Sequence, residues 1–258
     1  MEMILDISKN PPKIDSLPGG WLPDMELKID AIENVKRIDI IEGAYVLENV
    51  FSKNDTKFLR EAFSSAGILA PVSVQGRQDV PDYSVGSRRA TAWAPQFADA
   101  LWKRIAEKFS IREMKDDTLT DWWQEGMQRK WSPYAISPMW RFMKYEKGGK
   151  HYAHYDAGFI YPSSEYRTLQ SVVIYLTDSN NGGATRFIRD NQTTSVWERN
   201  HLDWTREVKE EEVIARVYPK EGSILVFDHR MCHDVEEYTG ETSRIIVRTD
   251  IIYHALEN

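Results

Sequence analysis

The second half of this 258-residue sequence has the composition of β-strands, and this feature constrains the fold more than any other. From Met139 onward, β-branched and aromatic residues concentrate in short runs separated by polar segments. The sequence Asn-Asn-Gly-Gly at residues 180–183 is a strong turn signal between two of these runs. We therefore predict an antiparallel sheet in a double-stranded β-helix, or jelly roll. Its clearest strands are predicted at Arg167–Thr177, Ser223–Phe227 and Arg244–Tyr253.

The first half of the chain carries helix signals instead. Ser52, with Asp55 three residues later, resembles a capping box before an amphipathic stretch that ends at Gly67. Pro95 begins a second such stretch, with apolar residues at steps of four. The predicted fold class is α+β, with amino-terminal helices supporting the jelly-roll core of a single domain. Its predicted parts are an extended arm (1–43), a helical supporting region (44–138) and a core (139–253). Within the supporting region we predict a short strand at Ala44–Val50, irregular structure at 70–90 and a third helix at 119–130. Within the core, residues 189–216 are predicted to be a polar insertion with some helix around 203–214.

Charge and composition argue against several classes of function. A formal charge of −7 is atypical of a generic binder of nucleic acids or anionic membranes, which more often carries a basic surface. No apolar run approaches the roughly 18–20 residues of a membrane span, and the first residues do not resemble a secretory signal. The single cysteine, Cys232, excludes an intrachain disulfide and suits a reducing compartment. We therefore predict a cytoplasmic protein with no nucleic-acid or membrane partner.

A pair of metal-ligand residues lies within the predicted core. In His154-Tyr155-Asp156 the imidazole and the carboxylate are two residues apart, so an extended strand would direct both to the same face. Two histidines and one carboxylate on one face are the arrangement that holds non-haem Fe(II) and leaves coordination positions open. The motif requires a second histidine that is distant in sequence and close in space. Among the six histidines, His229 and His233 directly follow a strong strand pattern, and both are candidates.

The last predicted strand carries an unusual pair of arginines. Arg244, Arg248 and Asp250 share one strand face with Ile246, and the other face is mostly apolar. Because an unpaired buried guanidinium costs several kcal/mol, these arginines should meet carboxylates or solvent. One interpretation is a structural ion pair between Arg248 and Asp250. The other is that Arg244 forms a bidentate pair with a dicarboxylate ligand.

These residues and their spacing resemble the Fe(II)/2-oxoglutarate-dependent dioxygenases, particularly the prolyl-4-hydroxylase-like branch, over residues 139–253. Tyr145 stands nine residues before His154, as does the tyrosine that binds 2-oxoglutarate in that family. The family's Gly-Gly-x-Thr-x-Phe matches residues 182–187, and its Gly-Ser-x-Leu-x-Phe strand before the distal histidine matches residues 222–227. That second match favours His233 over His229.

The resemblance implies a set of cofactors and residue roles. Fe(II) would be held by His154, Asp156 and His233, and ascorbate is a candidate reductant. The co-substrates would be O2 and 2-oxoglutarate, the latter binding Tyr145, Thr185 and a basic residue about ten positions after the distal histidine. Arg244 follows His233 by eleven residues, where prolyl 4-hydroxylases usually have lysine, and the slightly longer loop before it leaves Arg248 as the alternative.

The implied reaction is hydroxylation of an aliphatic carbon with release of succinate and CO2. We expect a small-molecule or amino-acid-like substrate, since no module for binding long peptides is evident; a peptidyl-prolyl substrate is the alternative. Desaturation, cyclisation or demethylation could occur on the same centre, and a non-catalytic member used for binding or sensing is a further alternative. Candidate substrate-contacting residues are Arg141, Arg88, Phe159 in a possible lid at 157–167, and Trp197 in the insertion.

Overall fold

A computed structural model describes residues 35–65, 70–71, 84–108, 130–159, 161, 165–189 and 207–256. Twelve strands and two α-helices occur in these residues. The helices are α1 (Lys53–Ser65) and α2 (Pro95–Ile105). The strands are β1 (Lys36–Ile41), β2 (Ala44–Glu48), β3 (Ala70–Pro71), β4 (Ser84–Trp93), β5 (Trp131–Ile136), β6 (Met139–His154), β7 (Tyr166–Tyr175), β8 (Thr185–Ile188), β9 (Val213–Val217), β10 (Ile224–Asp228), β11 (His233–Val235) and β12 (Arg244–Ala255).

The strands form one antiparallel sheet that curls back on itself. Its main path runs β1-β2-β10-β7-β12-β6-β11-β8-β9; β5 joins β12, β4 joins β6, and β3 joins β4. Ala44 and Val46 from one end of this path share a buried cluster with Val217 from the other end. Phe187 of β8 also meets Phe227 of β10, with ring centroids 5.5 Å apart, although four strands separate them along the path. The sheet thus encloses its own interior, as the predicted jelly roll requires.

Two apolar clusters lie on opposite faces of the curled sheet. The inner cluster contains Met143 and Tyr145 of β6, together with residues of seven other strands. The outer cluster contains Trp140 and Phe142 of the same strand, because successive residues of a strand face opposite sides. Helices α1 and α2 cover this outer face, and the Phe63 ring of α1 stacks on Phe142 at 5.4 Å. Both helices therefore support the sheet from outside and contribute no residue to its inner cluster.

The two predicted helices and their start signals are confirmed. The Ser52 hydroxyl accepts a hydrogen bond from the Asp55 amide (3.1 Å), and the Asp55 carboxylate accepts one from the Ser52 amide (2.8 Å). This is the reciprocal capping predicted from the sequence, with aspartate in the position usually taken by glutamate or glutamine. Pro95 occupies the first turn of α2, where its missing amide hydrogen costs nothing.

Several predicted boundaries are wrong. Residues 70–90 are not irregular throughout, because β4 begins at Ser84 and pairs along β6. The region 44–138 contains strands β2–β5 as well as the helices, and residues 36–41 of the predicted arm form β1. Within the described part of 203–214, only a short 3₁₀ turn at Glu210–Glu212 is helical. The predicted helix at 119–130 lies almost entirely outside the described residues, so it stays a prediction, as does the division of the chain into arm, supporting region and core.

Among the described residues, no helix is both long enough and apolar enough to cross a membrane.

Candidate metal centre and co-substrate pocket

Three predicted metal ligands come together where β6 and β11 pair. His154 ends β6 and is the cross-strand partner of His233, the first residue of β11. Asp156 follows two residues after His154, and its two carboxylate oxygens lie 3.7 Å from His154 Nε2 and 3.8 Å from His233 Nε2. One potential ligand atom from each residue lies within 4.8 Å of the others. Hereafter these residues are called the ligand triad.

Both triad histidines direct Nε2 towards the carboxylate of Asp156. Their Nδ1 atoms bond the backbone carbonyl two residues earlier, at Tyr152 (2.7 Å) for His154 and at Met231 (2.9 Å) for His233. A carbonyl accepts a hydrogen bond, so Nδ1 carries the proton and Nε2 remains available to a metal. Burial, and then the nearby charge of His233, lowers the pKa of His154 to about 4; burial also lowers the pKa of His233. Both imidazoles are therefore neutral near pH 7.

The carboxylate of Asp156 is ionised and held at both oxygens. The Ser171 hydroxyl of β7 donates a hydrogen bond to Oδ2, and Arg248 Nη2 lies 3.2 Å from Oδ1. Burial alone would raise the pKa of Asp156, but Arg248 and then the triad histidines outweigh burial and hold it well below its usual range. A buried anion between two neutral imidazoles is a donor set suited to a divalent transition metal.

The other candidate histidine faces a different group. His229 is buried, and its Nε2 lies 3.2 Å from Asp250 Oδ1. Its backbone carbonyl accepts the Asp156 amide hydrogen bond, so it supports the triad through the main chain. The choice of His233 as the third triad member therefore agrees with the geometry. His151 stacks on the ring of His154 at 4.2 Å.

Arg244 is buried inside the curled sheet without a counterion. Its side chain has no solvent exposure, and none of its three guanidinium nitrogens has a hydrogen-bond partner among the described residues. The guanidinium lies over the ring of Tyr145, its cross-strand partner, 4.7 Å from the centroid. An unpaired buried charge is costly, and this guanidinium can be satisfied by an anionic ligand that enters the interior.

A glycine and two hydroxyl-bearing residues lie near Arg244. Gly183 has a positive φ of 71°, and a Cβ there would lie 2.8 Å from Arg244 Cδ, so the predicted Gly-Gly turn leaves room for the arginine stem. The Tyr175 hydroxyl lies 3.3 Å from Thr185 Oγ1 on the same interior side. Burial raises the pKa of Tyr175, so its hydroxyl stays protonated and can donate a hydrogen bond. Arg244 therefore contacts Tyr145, and Tyr175 contacts Thr185, within the interior of the sheet. The binding of 2-oxoglutarate by Tyr145, Thr185 and Arg244 stays a prediction.

Arg248 belongs to a second group, which we call the mouth cluster: Arg141, Arg248, Asp250 and His229. Asp250 Oδ2 lies 3.0 Å from Arg141 Nη1, and Asp250 Oδ1 lies 3.1 Å from Arg248 Nη2. The predicted ion pair between Arg248 and Asp250 is therefore present. Because Arg248 also contacts Asp156, it lies beside the triad, whereas Arg244 is the residue without a counterion.

The four residues predicted to contact substrate do not all lie together in the structure. Arg141 lies in the mouth cluster. Phe159 is 38 % exposed, and its ring contacts that of Tyr161. Arg88 is exposed and lies on the same face of β4 as Ala90, which packs in the outer cluster. Arg88 therefore faces away from the interior, and the structure does not bring it to the triad. Trp197 lies outside the described residues.

Ser171 and Tyr175 were not among the site residues predicted from the sequence. Both lie in β7, whose ten residues are all buried, so no alternation distinguished the face toward the site. Arg167, Thr168 and Gln170 of the same strand are also buried and polar, so polarity did not single out Ser171 either.

Comparison with known proteins adds an independent finding. Residues 140–249 match the family model described as the 2OG-Fe(II) oxygenase superfamily, where 2OG denotes 2-oxoglutarate. No curated protein sequence matches the chain.

Similar solved structures include a viral collagen prolyl hydroxylase from Paramecium bursaria Chlorella virus-1 with 2OG (13 % identity, 83 % of this chain and 97 % of that chain, TM-score 0.44). HygX from Streptomyces hygroscopicus with nickel and 2-oxoglutarate is also similar (14 % identity, 83 % of each chain, TM-score 0.47). So is a prolyl hydroxylase from Trichoplax adhaerens in complex with a hypoxia-inducible-factor peptide fragment (13 % identity, 81 % and 83 %, TM-score 0.49). Identities this low carry no information about the substrate of the present chain.

Proposed function

We propose that this chain acts as a 2OG-Fe(II) oxygenase, the superfamily whose model matches residues 140–249, and that it hydroxylates an aliphatic carbon of a small, amino-acid-like substrate. Enzymes of this class use non-haem Fe(II), O2 and 2-oxoglutarate. When bound, the iron and 2-oxoglutarate supply the oxidation, in which one oxygen atom enters the substrate while 2-oxoglutarate becomes succinate and CO2.

The residues present fit both groups. His154, His233 and Asp156 would hold the iron, because two neutral imidazoles offer Nε2 lone pairs and the carboxylate is ionised. Ser171 and Arg248 would fix the orientation of that carboxylate. These outer contacts matter because they hold a ligand in its productive rotamer before the metal arrives.

The unpaired guanidinium of Arg244 is the observation that carries the proposal. Its three nitrogens are buried in the interior that the triad borders, and they need an anion. A dicarboxylate co-substrate with one end at the metal would present its far carboxylate here, with Tyr145 and Thr185 alongside. A fold retained only for binding would have no requirement to keep both the triad and this cation.

Replacing Arg244 with glutamine tests the proposal. Loss of a charged bidentate pair should cost about 2–5 kcal/mol of co-substrate binding, so the 2-oxoglutarate concentration for half-maximal succinate release should rise more than tenfold. The comparison variant is Arg248→Gln, which removes a partner of Asp156 and Asp250 and leaves the Arg244 guanidinium in place. If Arg248→Gln raises the 2-oxoglutarate requirement and Arg244→Gln does not, the assignment of the far-carboxylate site is wrong.

The charge-transfer absorption of the Fe(II)–2-oxoglutarate complex tests the enzyme class directly. We expect a weak visible band when both are added to the purified protein without oxygen, and its loss in Asp156→Ala. Absence of the band in the wild type would contradict the proposed catalytic function. A mass-spectrometric gain of one oxygen in a substrate, together with succinate release, would distinguish hydroxylation from desaturation or cyclisation.

A further inference from the structure

The mouth cluster places two cations opposite each other beside the triad. Arg141 of β6 and Arg248 of β12 are direct cross-strand partners. Like charges in that position destabilise a strand pair, so a sheet keeps them only where anions offset the repulsion. In this chain, one carboxylate, that of Asp250, bridges the two guanidinium groups at 3.0 and 3.1 Å.

The carboxylate of Asp250 is divided among three partners. Besides the two arginines, His229 lies 3.2 Å from Oδ1. Burial would raise the pKa of Asp250, but Arg248 and then Arg141 hold it well below its usual range, so the group stays anionic. One negative charge therefore serves two permanent cations. The second carboxylate at Arg248, that of Asp156, is the one that would ligate the metal.

Of the two arginines, Arg141 makes fewer hydrogen bonds with its guanidinium group. Among the described residues it makes one hydrogen bond, to Asp250, although a guanidinium carries five N–H donors. Its side chain is 21 % exposed, and that of Arg248 is 18 % exposed, whereas Arg244 is fully enclosed. The Arg141 side chain is therefore partly exposed, and four of its five N–H donors make no hydrogen bond to the described residues.

Apolar surface adjoins this cationic position. Burial and then the Asp250 carboxylate raise the pKa of Tyr161, which places the tyrosine beside the mouth cluster. Tyr161 packs with Tyr166 and Ile252, the next inward residue of β12 after Asp250. The exposed ring of Phe159 meets Tyr161 edge-on at 4.9 Å. A ligand that binds here meets cations at one end and aromatic surface at the other.

From this arrangement we propose that Arg141, with Arg248 beside it, binds a carboxylate of the substrate, which is a small carboxylic acid with an apolar body. This inference rests on the proposed oxygenase function and names its substrate class. The contacts Arg141–Asp250, Asp250–Arg248 and Arg248–Asp156 are continuous at 3.0, 3.1 and 3.2 Å, so the bound carboxylate lies close to the metal centre.

The test uses the Fe(II)-loaded enzyme with saturating 2-oxoglutarate and a panel of matched compounds. The panel contains L-α-amino acids, 2-hydroxy acids and aliphatic monocarboxylic acids, each beside its carboxamide. We expect at least one acid to stimulate succinate release and to gain one oxygen, at least tenfold more efficiently than its carboxamide. Stimulation by carboxamides as strong as by the acids, or by no acid in the panel, would overturn the proposal.

The same acid is then tested with variants of Arg141. Arg141→Gln should raise the KM for the acid more than tenfold, and Arg141→Lys, which keeps the charge, should raise it less. The control is Arg216→Gln, because Arg216 has a similar exposure of 27 % and is also paired with carboxylates, but lies on β9. An unchanged KM in Arg141→Gln would contradict the inference.

The charge-transfer band separates failure of this inference from failure of the proposed function. If the wild type and Arg141→Gln both form the Fe(II)–2-oxoglutarate band, the oxygenase centre is intact and the KM result concerns the substrate site alone. If the wild type lacks the band, it is the proposed function that fails. Retention of the band in Arg141→Gln also shows that this variant has folded.

Discussion

The contrast between Arg244 and Arg248 predicts opposite effects of one substitution on stability. The two arginines lie four residues apart on the same face of β12, but only Arg248 has carboxylate partners. Methionine keeps most of the apolar stem of each side chain and removes the charge. We expect Arg244→Met to stabilise the ligand-free protein and Arg248→Met to destabilise it.

The magnitudes follow from what each substitution removes. An uncompensated buried charge costs several kcal/mol, and Arg244 recovers about 0.5–2 kcal/mol of this through the ring of Tyr145. Arg244→Met should therefore raise the free energy of unfolding by about 1–3 kcal/mol. Removal of one partner from a buried ion pair costs about 3–5 kcal/mol, and the 18 % exposure of Arg248 reduces that to roughly 2–3 kcal/mol.

Urea and thermal unfolding of the metal-free proteins measure these changes. For a chain of this size, each kcal/mol corresponds to about 2–4 °C in Tm. With Mn(II) in place of Fe(II), 2-oxoglutarate at 100 times the wild-type Kd should add about 2.7 kcal/mol to the wild type. The same concentration should add at most about 0.9 kcal/mol to Arg244→Met, because the lost pair raises the Kd about 30-fold or more. The reasoning is refuted if Arg244→Met is less stable than the wild type without ligand, or if 2-oxoglutarate stabilises both equally.

Two further predictions concern the histidines. His233→Ala should weaken Mn(II) binding at least tenfold in a metal titration, whereas His229→Ala should retain it because its imidazole faces Asp250; a loss confined to His229→Ala would reverse the assignment. The pKa of His154 is about 4 in the folded protein and about 6.5 when unfolded, so between these pH values the unfolded chain binds more protons. Stability of the metal-free protein should therefore fall as pH drops from about 6.5 towards 4. His154→Gln should flatten this dependence of the urea midpoint, and an unchanged slope in that variant would contradict the attribution.

Strand periodicity predicted part of the site, because the alternation of side chains along a strand can be read from the sequence. The choice of His233 and the roles of Tyr145 and Thr185 came instead from the family resemblance. Alternation placed Arg244 and Arg248 on one face and paired His154 with Asp156 across one residue, and the structure agrees on both. The helix cap at Ser52 depends only on residues 52–55, so these four residues were enough to predict it.

The parts that were missed depend on which strands become neighbours. Alternation gives a face but not a partner strand, so it could not reveal that Ser171 of β7 and Arg248 of β12 meet at Asp156. For the same reason Arg248 stayed an alternative to Arg244 until their counterions were known. Strand β4 was missed because its polar and small residues resemble a loop, and only pairing along β6 makes it a strand.

Strand β12 makes the whole centre sensitive to insertions and deletions within this one segment. Its inward residues are, in order, Arg244, Ile246, Arg248, Asp250 and Ile252. Arg244 is the cation without a counterion, Arg248 contacts the triad, Asp250 contacts Arg141 in the mouth cluster, and Ile252 packs with Tyr161 and Tyr166. It pairs with β6, β7 and β5, so its register is fixed along its length. One added residue near its start would turn every later inward side chain to the helix-covered face. Length changes in β12 should therefore abolish co-substrate and substrate recognition together, whereas point substitutions can separate them.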